Sequence, residues 1–496
     1  MNTQPLAPID ISVENFKIIG HELINSIAAF NNRINENPVT KGKTPEDIQA
    51  LLEKRQFPEN GESANHLITR ATKLLFENSL FNGHPKFMGY ITASAAPIGA
   101  LGDLLAATVN PNCGAFTLSP VATEIEKQTI QWLAEFIGVS SNYGGILVSG
   151  GNMANFTAFL AARTAKAPVN FKEEGLSGAA KMITYCSKTT HTWIEKAAVL
   201  FGHGSNSVRW IATDSNNKMD LTILEEALNK DLKNGYQPFM VVGTAGDVST
   251  GAVDDLEGIA TLCKDYNVWF HIDGAYGVPA NILPENEKLF KGIKDADSIA
   301  MDPHKWLYSP LEAGCTLVKN PKHLIDAFSS HPEYYNFTNT HSEQNFYEYG
   351  LQNSRGFRAL KVWLMLQQVG KNGYRKMIKE DIQLAKSLFQ KTQNHPLLEA
   401  KIQNLSITTF RYVPKDIPEH ITDTPSYLNK LNETLVTSLQ QGGKLYLSNA
   451  IIDSQYCLRT CIVNFRTTEK DIADIVEIIV EEGAKIHTSM VIKETV

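Results

Sequence analysis

The sequence predicts an α/β protein built on a buried, mostly parallel sheet, preceded by a helical N-terminal segment and followed by a small α+β domain. Three observations predict it: short apolar runs alternate with helix-length amphipathic stretches through the middle of the chain, those runs are apolar at nearly every position, and the pattern changes on either side. A strand that is apolar on both faces must be covered on both faces, which a parallel sheet layered between helices provides.

At the N-terminus, Phe16, Ile19, Leu23, Ile24, Ile27 and Phe30 recur at three- and four-residue steps, the spacing of an amphipathic helix over Val13 to Phe30. A second helix is expected over Ala64 to Phe76. Between them the polar stretch Pro38 to Gly61 reads as connection, with a short helix around Pro45 to Lys54. We assign residues 1–85 to this helical segment, which has little apolar material to bury alone and is of the kind that packs on a partner subunit. The middle, residues 86–375, carries strands at Ile146 to Val148, Met182 to Cys186, Val208 to Ala212, Phe239 to Gly243, Val268 to Ile272 and Ser298 to Met301. Helices are expected between them at Asn152 to Arg163, Trp193 to Leu200, Leu221 to Leu232 and Leu256 to Tyr266, which makes βαβ units. A helix over Phe357 to Val369 leads into residues 376–496. There the order is helix (Met377 to Gln390), strand (Lys401 to Arg411), helix (Tyr427 to Gln441), strands (Gly443 to Ala450 and Tyr456 to Asn464) and helix (Glu469 to Ala484).

Composition narrows the function classes. With 496 residues, 43% hydrophobic and 20% charged, the chain has ordinary globular composition and enough length for two to four compact units. Its net charge of −7 argues against a partner bound through phosphate neutralisation, so no nucleic acid is expected. The six cysteines are scattered without a CxxC pair, so they read as reduced thiols and no metal site is expected. Met1 to Ile19 carries Asp10 and Glu14, unlike a secretory leader, and no run is long enough for a membrane span. The expected compartment is the cytoplasm and the expected partner a small molecule.

The candidate chemistry falls where apolar strands end, the place ligands occupy in such sheets. Ser298-Ile-Ala-Met-Asp-Pro-His-Lys-Trp306 delivers Lys305 into a loop at one strand end. An isolated lysine there is more often a surface cation, but beside a crevice a desolvated amine suits a Schiff base. His271-Ile-Asp-Gly-Ala-Tyr-Gly277 ends the preceding strand with Asp273. Such a carboxylate either caps a turn or meets a buried cation, and a pyridoxal phosphate (PLP) ring nitrogen is one such cation. Ala275 is small enough to lie flat under a ring. Ser149-Gly-Gly-Asn152, between a strand and a helix, is either a tight turn or an anion site formed by backbone amides and the helix N-terminus. His191, after the strand from Met182, can stack on a planar ring.

Together with His84-Pro-Lys-Phe87, Ser119-Pro-Val-Ala-Thr-Glu-Ile-Glu126, Gly243-Thr-Ala-Gly246, Thr250-Gly251 and Ser354-Arg-Gly-Phe-Arg-Ala-Leu-Lys361, these segments resemble, in order, the group II pyridoxal-dependent decarboxylases, the family of aromatic-L-amino-acid, histidine and glutamate decarboxylases. The resemblance runs from about His84 to Gly370. It implies a PLP-dependent transferase fold (fold type I) with a seven-stranded large-domain sheet. It also implies that Lys305 holds the cofactor, Asp273 pairs with its ring nitrogen, Ala275 lies beneath the ring and His191 stacks above. Gly151, Asn152 and His304 would hold the phosphate, and Arg355 would meet a substrate carboxylate. Tyr334 matches a mobile-loop tyrosine that returns a proton to the substrate carbon, with Tyr335 beside it as an alternative. Tyr90, Ile91 and Thr92 fill positions of an aromatic substrate pocket, with Ala93 where catechol-handling members place Thr. Asp247 and Val248 stand where many members carry two threonines. The implied activity is α-decarboxylation of an L-amino acid, aromatic by preference, in a homodimer with shared active sites. Aldehyde formation and an acidic substrate are the alternatives.

Overall fold

The computed structural model describes residues 7–52, 56–330 and 343–495. Its centre is a seven-stranded sheet of β2 (Gly144–Val148), β3 (Met182–Ser187), β4 (Val208–Ile211), β5 (Gln237–Thr244), β6 (Trp269–Asp273), β7 (Ser298–Met301) and β8 (Gly314–Val318), in the order β2-β8-β7-β6-β5-β3-β4. Strands β3 to β7 pair in parallel, and β8 runs antiparallel to both of its neighbours, β2 and β7. Six of the seven lie at the predicted apolar runs. The seventh, β8, lies in a stretch with no predicted strand.

The sheet is buried on both sides, as its near-continuous apolar strands require. One face carries Ile146, Ile183, Val241, Phe270 and Ile299 in a core shared with surrounding helices. A second cluster, with Phe159, Phe239, Trp193 and Trp269, sits under the helix Gly151–Lys166. Connecting helices start where capping residues say they should: Asp220 accepts the amides of Thr222 and Ile223, and Asp255 accepts that of Gly258.

A smaller sheet joins β1 (Phe87–Met88), β9 (Leu398–Asn404), β10 (Ile407–Tyr412), β11 (Tyr446–Ile452) and β12 (Gln455–Cys461) in the order β1-β11-β12-β10-β9. The helices Thr424–Gly442 and Glu469–Thr495 cover it, closing a core that includes Leu431, Leu435, Phe410 and Ile475. Three expectations need correction. Lys401 to Arg411 is not one strand but the hairpin β9–β10, turned at Leu405, which sits at φ 47° with no glycine to signal the turn. Phe87 and Met88 pair in parallel with Tyr446 and Leu447, so the stretch just after residue 86 joins the small sheet and not the large one. The expected boundary at 375/376 falls within the helical span Ala359–Asn394, whose one interruption is Gly370 at φ 63°. That span packs on large-domain helices with one end and on β9 and β10 with the other, so the two units share it.

At the N-terminus the helices Val13–Asn32 and Ala64–Asn78 lie against each other, with Phe30 stacked on Phe76 at 4.3 Å. Neither contains a buried residue. Among the described residues no helix is long and apolar enough to cross a membrane.

Candidate active site

The carboxyl ends of β2, β3, β5, β6 and β7 open onto one crevice of about 350 Å3. Ser149, Gly150, Gly151 and Asn152 follow β2, Thr189 and His191 follow β3, and Thr244 with Gly246 ends β5. Asp273 and Ala275 close β6, and Asp302, His304 and Lys305 follow β7. Lys305 and Asp273, 32 residues apart, therefore line a single space because β6 and β7 are adjacent parallel strands.

On the β7 side the Lys305 Nζ lies 3.0 Å from Asp302 Oδ2. Asp302 is buried, and its Oδ1 has no hydrogen-bond partner among the described residues. His304 Nδ1 accepts the Ala313 amide at 3.0 Å, which leaves the proton of the neutral ring on Nε2, 3.7 Å from Asp302 Oδ2. Burial lowers the pKa of His304, so that neutral ring is the favoured form. Across from them, the helix Gly151–Lys166 begins at the crevice with its first-turn amides. A Cβ on Gly151 would lie 2.7 Å from Asp302 Oδ2, and one on Gly150, at φ 149°, would lie 3.1 Å from His304 Cε1. A helix N-terminus, a neutral N–H donor and a lysine around a space kept open by two glycines fit a phosphorylated aldehyde.

On the β6 side Asp273 Oδ2 accepts the Trp193 indole N–H at 2.7 Å, and Oδ1 accepts the Ala275 amide at 3.2 Å. His191 is exposed at the crevice; its Nδ1 accepts the Trp193 amide at 3.3 Å, which fixes the ring. Tyr276, also lining the crevice, stacks on Trp306 with centroids 5.0 Å apart, and its hydroxyl meets Ser406 Oγ at 2.6 Å. The β9–β10 turn of the small sheet thus packs against the residue that follows Ala275.

Of the residues expected here, Lys305, Asp273, Ala275, His191, Gly151, Asn152 and His304 come together. Ile91 lines the crevice, whereas its neighbours Tyr90 and Thr92 are not in the lining; Tyr90 is exposed, at φ 52°, with its amide on Ser448 Oγ. Tyr334 and Tyr335 lie outside the described residues. Arg355 is placed elsewhere. Its guanidinium is buried against Glu126, with Nη2 at 2.6 Å from Oε1 and Nη1 at 3.0 Å from Oε2, and it also donates to the carbonyls of Cys113 and Leu147. It does not line the crevice, and the Glu126 carboxylate takes the place that a substrate carboxylate was expected to fill.

Asp247 and Val248 do line the crevice. Asp247 organises its own loop, accepting the amides of Ser249, Thr250 and Ala252 and the Thr250 hydroxyl. Three further residues carry little signal in the sequence. Trp193 heads the helix that follows His191, and Asp302 stands in the motif of Lys305. Arg459, on β12, is buried at 2% exposure; Nη1 donates to the Tyr90 carbonyl at 3.0 Å, and Nε and Nη2 have no hydrogen-bond partner among the described residues.

A family model described as the pyridoxal-dependent decarboxylase conserved domain matches residues 45–412, a span that holds every crevice residue named above. An aromatic-L-amino-acid decarboxylase of Bacillus atrophaeus is 32% identical over 472 residues, covering 94% of this chain and 95% of its own length. A phenylacetaldehyde synthase of a Rosa hybrid cultivar is 28% identical over 473 residues, covering 93% of this chain and 92% of that protein. The solved structure of Oryza sativa TDC with PLP and tryptamine superimposes with a TM-score of 0.90 at 23% identity, over 97% of this chain and 100% of that one, which shows a shared fold. A match of this extent, over a crevice whose donors suit a phosphorylated aldehyde, makes the chain a member of the pyridoxal-dependent decarboxylase family and a PLP-dependent amino-acid decarboxylase.

Proposed function

We propose that the protein releases the α-carboxylate of an aromatic L-amino acid as CO2 and forms the corresponding amine. The observation that carries this reading is the shared crevice of Lys305 and Asp273, flanked by His191, in a chain 32% identical to an aromatic-L-amino-acid decarboxylase. PLP, when bound, supplies an electron-withdrawing ring that stabilises the charge left at the substrate Cα. Lys305 Nζ is the covalent anchor, and Asp302 beside it balances the charge of the free amine. Gly151, Asn152 and the Nε2–H of His304 would hold the phosphate. Asp273 would hold the ring nitrogen, with Ala275 and His191 as the residues on either side of the ring. Arg459, a buried cation outside the crevice lining but bonded to the carbonyl of Tyr90, the neighbour of the crevice residue Ile91, and with two donors lacking a partner among the described residues, is the guanidinium for the substrate carboxylate in place of Arg355. The hydroxyl of Tyr334, or that of Tyr335 beside it, would return a proton to Cα, which would decide for amine over aldehyde.

We further read the enzyme as a cytoplasmic homodimer that shares its active sites. Six free, buried thiols support a reducing compartment. Phe16 and Val13 on the first helix, with Leu101, Leu104, Leu105 and Val109 on the helix Pro97–Val109, expose the apolar surface that a second copy would cover. Sedimentation equilibrium gives the mass that tests the dimer.

The deciding experiment incubates the PLP-loaded enzyme with tryptophan, tyrosine, phenylalanine, DOPA, histidine and glutamate, and measures CO2, amine, aldehyde and peroxide. Amine equal to CO2 from an aromatic substrate is expected. Aldehyde with peroxide refutes the amine-forming reading, and turnover of glutamate alone refutes the aromatic one.

A further inference from the structure

Trp193 begins the helix Trp193–Leu200, two residues after His191, and is buried at 1% exposure. A tryptophan in the first turn of an apolar helix is ordinary core material. Here, however, the indole N–H points at Asp273 Oδ2 over 2.7 Å, in a crevice where, among the described residues, Asp273 Oδ1 is engaged by the Ala275 amide alone. The opposite side of the indole is braced by His271, edge to face with centroids 5.8 Å apart. His271 is itself held, with Nδ1 at 2.8 Å from Ser298 Oγ and Nε2 at 2.7 Å from Asn155 Oδ1, and Ser298 Oγ accepts the Trp269 indole N–H at 2.8 Å. Burial brings the pKa of His271 down to about 4, so the ring under the indole is neutral and lends Asp273 no charge.

A carboxylate facing a pyridine nitrogen in a desolvated crevice shares one proton with it. Either the ring carries the proton and Asp273 is charged, or Asp273 carries it and both are neutral. A donor on the far carboxylate oxygen strengthens only the first arrangement, because a hydrogen bond to a charged acceptor is roughly twice as strong as one to a neutral acceptor. Low local dielectric enlarges that difference.

We propose that Trp193 is a positioning residue for the decarboxylation: its indole N–H holds Asp273 as the carboxylate and so keeps the shared proton on the cofactor's ring nitrogen. The proposal rests on the reading that Asp273 meets that nitrogen. Its consequence is that the strength of the electron sink is set by a neutral side chain that touches neither cofactor nor substrate.

The test uses the full-length enzyme loaded with PLP labelled with nitrogen-15 in the ring. Trp193→Phe keeps an aromatic ring against His271 and removes the donor. Benzothienylalanine at position 193 keeps the bicyclic shape and replaces only the N–H by sulfur, which serves should the smaller ring disturb folding. The nitrogen-15 chemical shift reports ring protonation without any turnover. We expect a protonated nitrogen in the wild type and a shift toward the unprotonated position in both variants. kcat should fall about tenfold or more, the order expected for losing one hydrogen bond to a charged group, with KM near wild type; the apo-protein's unfolding midpoint should fall modestly, by the buried hydrogen bond that both variants lose. An unchanged nitrogen-15 shift in the benzothienylalanine protein overturns the proposal, as does a loss of stability with ring protonation intact. A wild-type nitrogen that is itself unprotonated overturns instead the assignment of Asp273 to the ring.

Discussion

Arg355→Met separates the two tasks that a buried arginine can perform in this enzyme. The guanidinium and Glu126 are each 1% exposed and meet in a bidentate pair. Removing the cation leaves the carboxylate, among the described residues, with the Leu147 amide, 3.0 Å from Oε1, as its remaining donor. The carbonyls of Cys113 and Leu147 lose a donor at the same time. Breaking a buried ion pair from one side costs about 3–5 kcal/mol, because an uncompensated charge stays in the interior. Glu126 belongs to the helix Pro120–Phe136 and Leu147 to β2, so the loss falls on the packing of a helix against the sheet and not on the crevice. Urea unfolding of the apo-protein should therefore show a lower midpoint for Arg355→Met. The double variant Arg355→Met/Glu126→Met should recover most of it, since replacing both partners by apolar groups removes the stranded charge. KM for the substrate should remain within about twofold of wild type, since no uniform binding interaction is lost. A variant of wild-type stability with a KM raised tenfold would refute this reasoning and return Arg355 to the substrate.

Arg459→Gln is the complementary case: it should raise KM by about tenfold or more, because the charged pair lost is made with substrate, and should lower the apo-protein's unfolding midpoint less than Arg355→Met does, because the bond it loses within the fold is the one to the Tyr90 carbonyl and no buried carboxylate is stranded; steady-state amine formation measures it, and an unchanged KM refutes the assignment. Gly151→Ala places a Cβ 2.7 Å from Asp302 Oδ2, so PLP affinity, read from equilibrium absorbance titration, should fall about tenfold, the equivalent of roughly 1.4 kcal/mol of overpacking; unaltered affinity argues that the Gly151 turn does not carry the phosphate. Asp381 accepts the Trp306 indole N–H at 2.8 Å and the Tyr308 hydroxyl, and burial pushes its pKa up from 3.8 to about 7. A raised carboxyl pKa favours folding below the unfolded value and loses that contribution as pH rises through the folded one, so Asp381→Asn should gain on wild type by on the order of 3 kcal/mol between about pH 4 and pH 8. Parallel unfolding midpoints across that range would show that Asp381 does not titrate there.

Much of this enzyme is local information. The parallel strands inside the sheet announce themselves as apolar runs, less so the edge strand β4 with Arg209 and an exposed Trp210, and Asp220 and Asp255 mark helix starts by capping chemistry that needs no long-range partner. Lys305 and Asp273 were legible for a related reason: each ends an apolar run, and in a parallel sheet such ends gather on one side. Other features gave little local signal. Strand β8 follows a loop with no helix before it and runs against its neighbours, so the βαβ rhythm that revealed the others is missing. The hairpin at Leu405 uses a non-glycine residue at positive φ, which no turn signature marks. The interruption at Gly370 leaves the helix axis serving two domains, where the hydrophobic period alone reads two separate helices.

The amino-acid order by itself determined the layered α/β architecture, the glycine turn at the head of the helix Gly151–Lys166 and the strand-end placement of the lysine and the acid. Those depend on backbone preference and hydrophobic period, which act within a few residues. Only the tertiary structure decided that Arg355 belongs to Glu126, that two guanidinium nitrogens of the buried Arg459 are left without a partner among the described residues, and that the Trp193 indole reaches Asp273. What a buried polar group does depends on what faces it, and here the facing groups lie 229 and 80 residues away along the chain. Desolvation makes such pairings obligatory once the chain is folded, but it leaves no local signature of which partner is chosen.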